Sequence, residues 1–258
     1  MVSIYSYWDL NLNYRVVKEW YRKDFKYLTL ALSVYHSLKL YDRVEMITTT
    51  PMKKLFEELE IPFTKISTDL DDLKVNKKLW ILGKIKAYSI QEEPFVHIDN
   101  DFILYEKPIF NSSILVQEFE SFNDINHMNG YGDKLYKSRA NFSNKPKLFD
   151  VTNKSFCMGI YAVNDINFNK LYCSTVLNLI DDNKDYILSQ TDATRFGIIL
   201  EQYMLSTLTE ENNIDVEEIN VNFLHLLENK YNHKYYDYIK NEVMLKLPNV
   251  YNKIKKRL

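Results

Sequence analysis

Seven segments of alternating character fill the first hundred residues, and they constrain the fold more than any other feature. "VSIYSYW" reads as a strand, Val2 to Tyr7. "DFKYLTLALSVYHSLKLY" has helical spacing, with Leu28, Leu32, Tyr35 and Leu38 on one face. "RVEMITTT" predicts a strand near Val44 to Thr49, and Pro51 sits at the first turn of the helix "PMKKLFEELEI". "PFTKIST" is a short strand, residues from about Asn76 to Gln91 a helix, and "PFVHID" a fourth strand. Strands alternating with helices predict a parallel sheet flanked by helices, an α/β fold.

The later chain is less regular. Residues 106–125 read as partly helical or extended, and the polar stretch 126–153 as a long loop or small subdomain. A strand is expected through Phe156 to Val163 and a short one near Glu218 to Leu224. "INFNKLYCSTVLNLIDDN", "SQTDATRFGIILEQYMLSTLTEEN" and the tyrosine-rich tail after Asn229 are expected to be helical. No internal repeat or linker-like segment breaks the chain, so one domain is expected.

Composition removes several functions. Only five of 258 residues are glycine, with no GxGxxG or Walker-type loop, so a Rossmann dinucleotide site or P-loop is excluded. A net charge of −2 gives no bulk basic field for nucleic acid. Two cysteines, Cys157 and Cys173, make neither a disulfide framework nor a CxxC site and fit a reducing cytoplasmic compartment. The N-terminus lacks a signal-peptide pattern, and no apolar run approaches the ~18 residues of a membrane span.

The chemistry concentrates in "PFVHIDNDFILY". Open α/β sheets bind ligands beyond the carboxyl ends of their strands, where Asp99 and Asp101 fall. Carboxylates at i and i+2 can converge on one hard divalent cation. An Asx-turn with a solvated second aspartate is the alternative. The strand-tip position favours the metal. His97, within the strand, reads as a satisfied core histidine.

"FVHIDNDFILY" resembles the D-x-D segment of GT-A glycosyltransferases, and the nearest likeness is to a bacterial, glycogenin-like, retaining group. "WILGKIKAY", "KSFCMGIYAV", "LEQYML" and "FLHLLENKY" resemble further segments of that family, in order, so the likeness spans residues 2–231. It implies a GT-A-like fold over 1–258, with a nucleotide-sugar half in 1–105 and an acceptor-side half and helical tail in 106–258. It implies Mn²⁺ or Mg²⁺ held by Asp99, Asp101 and His225. The implied donor is a nucleoside diphosphate sugar, a UDP-sugar first among them, and the implied acceptor is a glycan or lipid-linked molecule. The expected location is cytoplasmic, or peripheral to the inner membrane.

By the same resemblance Gln202 lies near the reacting sugar carbon, Glu201 holds a sugar hydroxyl or a loop, and Lys84 points at the donor. An exposed helix face for Glu201 and Gln202, and a snorkelling lysine at position 84, are the alternatives. Lys230 would bind the departing diphosphate. Tyr5 and Trp8 would stack on the base unless both are core, and Thr48, Thr49 and Asn100 would border the nucleotide. Cys157, Ala162, Val163 and Glu228 depart from the family pattern and bear on substrate contacts rather than on the metal. A haloacid-dehalogenase-like phosphatase, using Asp99 with Asp181, Asp182 or Asp185, and a non-catalytic sugar-nucleotide-binding domain are the other readings. The three later aspartates read better as a solvated helix end.

Overall fold

The computed structural model describes residues 1–8, 20–73, 76, 79–121, 139–190 and 196–258. Among these, the strands are β1 (Val2–Tyr7), β2 (Val44–Thr48), β3 (Lys65–Ser67), β4 (Phe95–Ile98), β5 (Phe102–Leu104), β6 (Ile114–Ser121), β7 (Lys154–Val163), β8 (Val216–Glu218) and β9 (Phe223–His225). The helices are α1 (Lys23–Leu40), α2 (Thr50–Glu58), α3 (Ile81–Ser89), α4 (Ile166–Ser189), α5 (Phe196–Ile198), α6 (Met204–Glu211), α7 (His233–Lys246) and α8 (Pro248–Arg257). A π-helical turn, Ile199–Tyr203, joins α5 to α6, and a 3₁₀ turn, Leu227–Tyr231, follows β9. The fold is α/β, with a mostly parallel sheet flanked by helices, as the alternation predicts.

The chain divides into two compact units. The first holds Met1–Asp71, Val96–Ile109 and Asn220–Leu258. Its strands run in the order β3-β2-β1-β4, with β2 parallel to both β1 and β3. All six residues of β1 and all four of β4 are buried, the continuous apolar signature of strands covered on both faces. In α1 the predicted stripe is buried at Leu28 and Leu32 and half-buried at Tyr35 and Leu38. Serines enter the core beside it: the Tyr5 hydroxyl lies 2.7 Å from both Ser33 Oγ and Ser37 Oγ, so the buried polar groups satisfy one another. Helices α7 and α8 pack on α1 through Asp24, whose carboxylate takes Lys255 Nζ at 2.7 Å and the Tyr236 hydroxyl at 3.0 Å.

The second unit holds Asp72–Phe95 and Phe110–Ile219. Here β6 lies between an antiparallel β7 and a parallel β8. Tyr88, Phe95, Tyr161 and Tyr172 fill its core with edge-to-face and tilted ring pairs.

Residues 114–121 form a full strand, the extended alternative of the sequence reading, with a partner on each side of β6. Three further features differ from that reading. The single strand expected near 218–224 is two, β8 and β9, which pair with different strands in different units. The strand β5 begins one residue after Asp101 and has no counterpart in the sequence reading. Asp181, Asp182 and Asp185 do not end a helix: α4 continues to Ser189 and carries all three on its exposed face. The expected loop 126–153 lies outside the described residues as far as 138, and the helices expected to start near 76 and 189 lose residues 77–78 and 191–195 in the same way.

Candidate metal and anion site

β4 is the element that aims the site. Its buried FVHI run ends at Ile98, the chain turns through Asp99, Asn100 and Asp101, and the Phe102 N–H donates back to the Asp99 carbonyl at 3.0 Å. β5 then pairs antiparallel with β9, placing Phe102 opposite His225 and Leu104 opposite Phe223. The Phe102 and Phe223 rings stack 4.8 Å apart, and the Leu226 N–H donates to the Asp101 carbonyl at 3.0 Å. This two-stranded ladder carries a histidine from 124 positions downstream of Asp101 to its side.

One ligand atom each from Asp99, Asp101 and His225 lies within 4.8 Å of the others. Two carboxylates and an imidazole suit a divalent cation of the Mg²⁺–Mn²⁺ class, with the imidazole favouring Mn²⁺. Asp101 is buried and Asp99 half-buried. Burial by itself would raise the Asp101 carboxyl. The His225 hydrogen bond and the Lys230 charge outweigh it and hold the group well below the usual carboxylate range. Lys230 Nζ stands 2.5 Å from Asp101 Oδ2, and His225 Nε2 stands 3.6 Å from the same oxygen. That ammonium supplies the positive charge which a cation would otherwise bring to the oxygen.

Neighbouring groups surround the candidate ligands. His97, read as a core residue, is 1% exposed; its Nε2 meets Ser6 Oγ at 2.9 Å and its Nδ1 lies 3.8 Å from Asp99 Oδ1. It is a core histidine that also stands beside a candidate metal-binding carboxylate. Asn100 is tied to β1 by its Nδ2 donating to the Ser6 carbonyl at 2.9 Å. Leu227 has φ 38°, in the left-handed region that a bulky residue rarely adopts, and this bend starts the 3₁₀ turn bearing Lys230.

The carboxyl-end edge of the first unit also holds buried polar atoms with no hydrogen-bond partner among the described residues. They are Trp8 Nε1 after β1, Thr49 Oγ1 after β2, Ser67 Oγ at the end of β3 and Asn100 Oδ1 after β4. Leaving such groups unmet costs free energy, and each calls for a physical explanation. Hydrogen bonding to a bound ligand is one that suits all four.

The other expected site residues divide. Tyr5 is fully buried against Phe63 at 5.7 Å, and burial pushes its hydroxyl up to about 12, so the core reading describes it and stacking on a base does not. Thr48 is likewise buried, with its hydroxyl donating to the Tyr7 carbonyl at 2.5 Å. In the second unit Lys84 Nζ meets Glu201 Oε1 at 2.6 Å, and the Tyr88 hydroxyl donates to the same oxygen at 3.1 Å. Glu201 is 1% exposed, so an exposed helix face does not describe it, and Lys84 is held by a carboxylate rather than snorkelling outward. Gln202, half-buried, follows Glu201 in the π-helical turn, a backbone irregularity often found at functional sites. The Glu228 side chain lies outside what the structure describes.

Sequence reading missed Lys26. Its ammonium hydrogen-bonds the Tyr7 hydroxyl and lies 4.2 Å from the Tyr7 ring centroid. A lysine in the apolar stripe of a helix carries no motif, and only the packing of α1 on β1 marks it.

Residues 1–220 match the family described as "Family of unknown function (DUF6734)", and the chain belongs to that family. No curated protein matches it by sequence. Among solved structures, an active-site mutant of LgtC is 10% identical with a TM-score of 0.42, over 76% of this chain and 69% of that one. Mouse xyloside xylosyltransferase 1 is 8% identical with a TM-score of 0.43, over 85% and 84%. The inositol-1-phosphate CTP transferase of T. maritima is 12% identical with a TM-score of 0.36, over 99% and 96%. At TM-scores below 0.5 these likenesses carry neither a site nor a substrate to this chain. No helix among the described residues is long and apolar enough to cross a membrane.

Proposed function

We propose that the protein is a metal-dependent glycosyltransferase that takes a sugar from a nucleoside diphosphate sugar, a UDP-sugar first among candidates, and passes it to a glycan or lipid-linked acceptor with retention. The observation that carries this reading is the convergence of Asp99, Asp101 and His225 at the carboxyl end of β4, beside Lys230. A bound Mn²⁺ or Mg²⁺ supplies charge neutralisation for a leaving diphosphate. Asp99 and Asp101 would hold it as carboxylates and His225 as a neutral imidazole, with His97 fixing the Asp99 orientation. Lys230 would transfer its charge from Asp101 to the diphosphate. The buried polar atoms of Trp8, Thr49, Ser67 and Asn100, which meet no partner among the described residues, support a polar ligand along the same edge. In the second unit, Lys84, Glu201 and Gln202 are proposed to contact a sugar, with Glu201 positioning Lys84 through their ion pair.

The test is calorimetric titration of a panel of nucleoside diphosphates and their sugars, with and without Mn²⁺, on the wild type and on Asp101→Asn. One nucleotide should bind at micromolar concentration, need the metal, and lose binding in the variant. Metal-independent binding, or undiminished donor turnover by Asp101→Asn, sinks the proposal.

A further inference from the structure

Lys26 lies in the first turn of α1, and its side chain runs to Tyr7, the last residue of β1. Its neighbours are aromatic: the Tyr7 hydroxyl, the Tyr7 ring and the Tyr27 ring, whose centroid is 5.7 Å away. No carboxylate pairs with it among the described residues. Desolvation, and then the charge of Lys230, bring its pKa down to about 7. Lys230 is itself walled by the Trp20 ring, 5.6 Å to the centroid, and is paired with Asp101.

Both ammonium groups thus stand in aromatic surroundings, and among the described residues only Lys230 has a carboxylate counter-ion. Poor hydration and like charge both make the second cation costly, and an anion removes the cost. The carboxylates beside Lys230 decide what kind of anion. A simple carboxylate ligand would be repelled by Asp99 and Asp101. A polyphosphate that arrives with a divalent cation satisfies both sides, with the metal on the aspartates and the phosphate oxygens on the lysines.

We infer that Lys26 is a diphosphate-binding residue, which with Lys230 clamps the metal-bound diphosphate of the donor from the β1–α1 side. The inference rests on the glycosyltransferase reading, because that reading supplies the diphosphate.

The experiment titrates UDP with Mn²⁺, and inorganic pyrophosphate with Mg²⁺, into the wild type and Lys26→Met. Loss of one charge-assisted contact to phosphate predicts affinity about tenfold to hundredfold weaker for both probes. Mn²⁺ titrated alone should bind the two proteins equally. Unchanged UDP and pyrophosphate affinity in Lys26→Met overturns the assignment while leaving the metal–nucleotide site standing. A wild type that binds neither probe overturns the glycosyltransferase reading first and this assignment with it. Should circular dichroism show Lys26→Met unfolded, acylation of the wild type by acetic anhydride, read by mass spectrometry, decides the matter. Mn²⁺ with UDP should slow modification at Lys26 and leave the exposed Lys23 unaffected; equal rates at Lys26 with and without UDP refute the contact.

Discussion

Replacing Lys230 with methionine separates the two roles proposed for one ammonium. In the metal-free protein it neutralises Asp101 Oδ2 at 2.5 Å. At an effective dielectric of ~20 the gross attraction over that distance is about 6–7 kcal/mol, most of it offset by desolvation. The net value of a hydrogen bond to a charged group is about 1.5–3 kcal/mol. A cation claiming the same oxygen must displace or share this bond. Lys230→Met should therefore bind Mn²⁺ alone about tenfold to hundredfold more tightly than the wild type, from the same 1.5–3 kcal/mol. With saturating Mn²⁺ present, UDP should bind the variant more weakly, because the diphosphate has lost its cation. The metal-free variant should also be less stable by about 3 kcal/mol, the cost of leaving a buried carboxylate without its main partner. Mn²⁺ should restore part of that loss. Calorimetry with Mn²⁺ and thermal melts with and without the metal measure all three. Mn²⁺ affinity equal to or weaker than the wild type's would show that the lysine and the cation do not compete, and the reasoning would fail.

Two further outcomes are expected. Lys84→Met should destabilise the fold by about 3–5 kcal/mol because Glu201 is left charged and buried, whereas the double variant Lys84→Met with Glu201→Leu should recover most of it in urea melts; a double variant no better than the single one would mean that the cost lies in packing rather than charge. Burial alone would raise the Asp24 carboxyl, but hydrogen bonds from Lys255, Tyr236 and Arg22 prevail and lower it below its ordinary value. The ionised folded form is thus favoured, so its stabilising effect is complete above the unfolded carboxyl's pKa near ~4 and fades as pH falls through the lower folded value. The stability gap between wild type and Asp24→Asn should stay constant from pH 7 to 5 and close only below about pH 4; closure already between pH 7 and 5 would contradict this.

Much of the first unit was readable in the chain. Apolar runs broken by polar turns and Pro51 announce β1, β2 and β4 with the helices α1 and α2, since strands covered on both faces must be continuously apolar. Asp99 and Asp101 were found by their place at the tip of one such run. Lys26, the core burial of Tyr5 and the pairing of Lys84 with Glu201 were not readable. Each depends on which helix face meets which strand, and one sequence leaves many such pairings open. His225 entered through resemblance alone. The chain does not show that β5 exists, and without β5 nothing draws β9 to Asp101.

Periodicity by itself therefore determined the α/β class and the position of two carboxylates at a strand end, because these follow from local pattern and chain connectivity. Tertiary structure decided what surrounds the carboxylates. The β5–β9 ladder brings His225 beside Asp101, the bend at Leu227 leads to Lys230 on its oxygen, and the packing of α1 on β1 sets Lys26 against Tyr7. These are contacts between residues far apart in sequence, and the free energy that selects them comes from burial and charge in the assembled fold, which no local window of the chain contains.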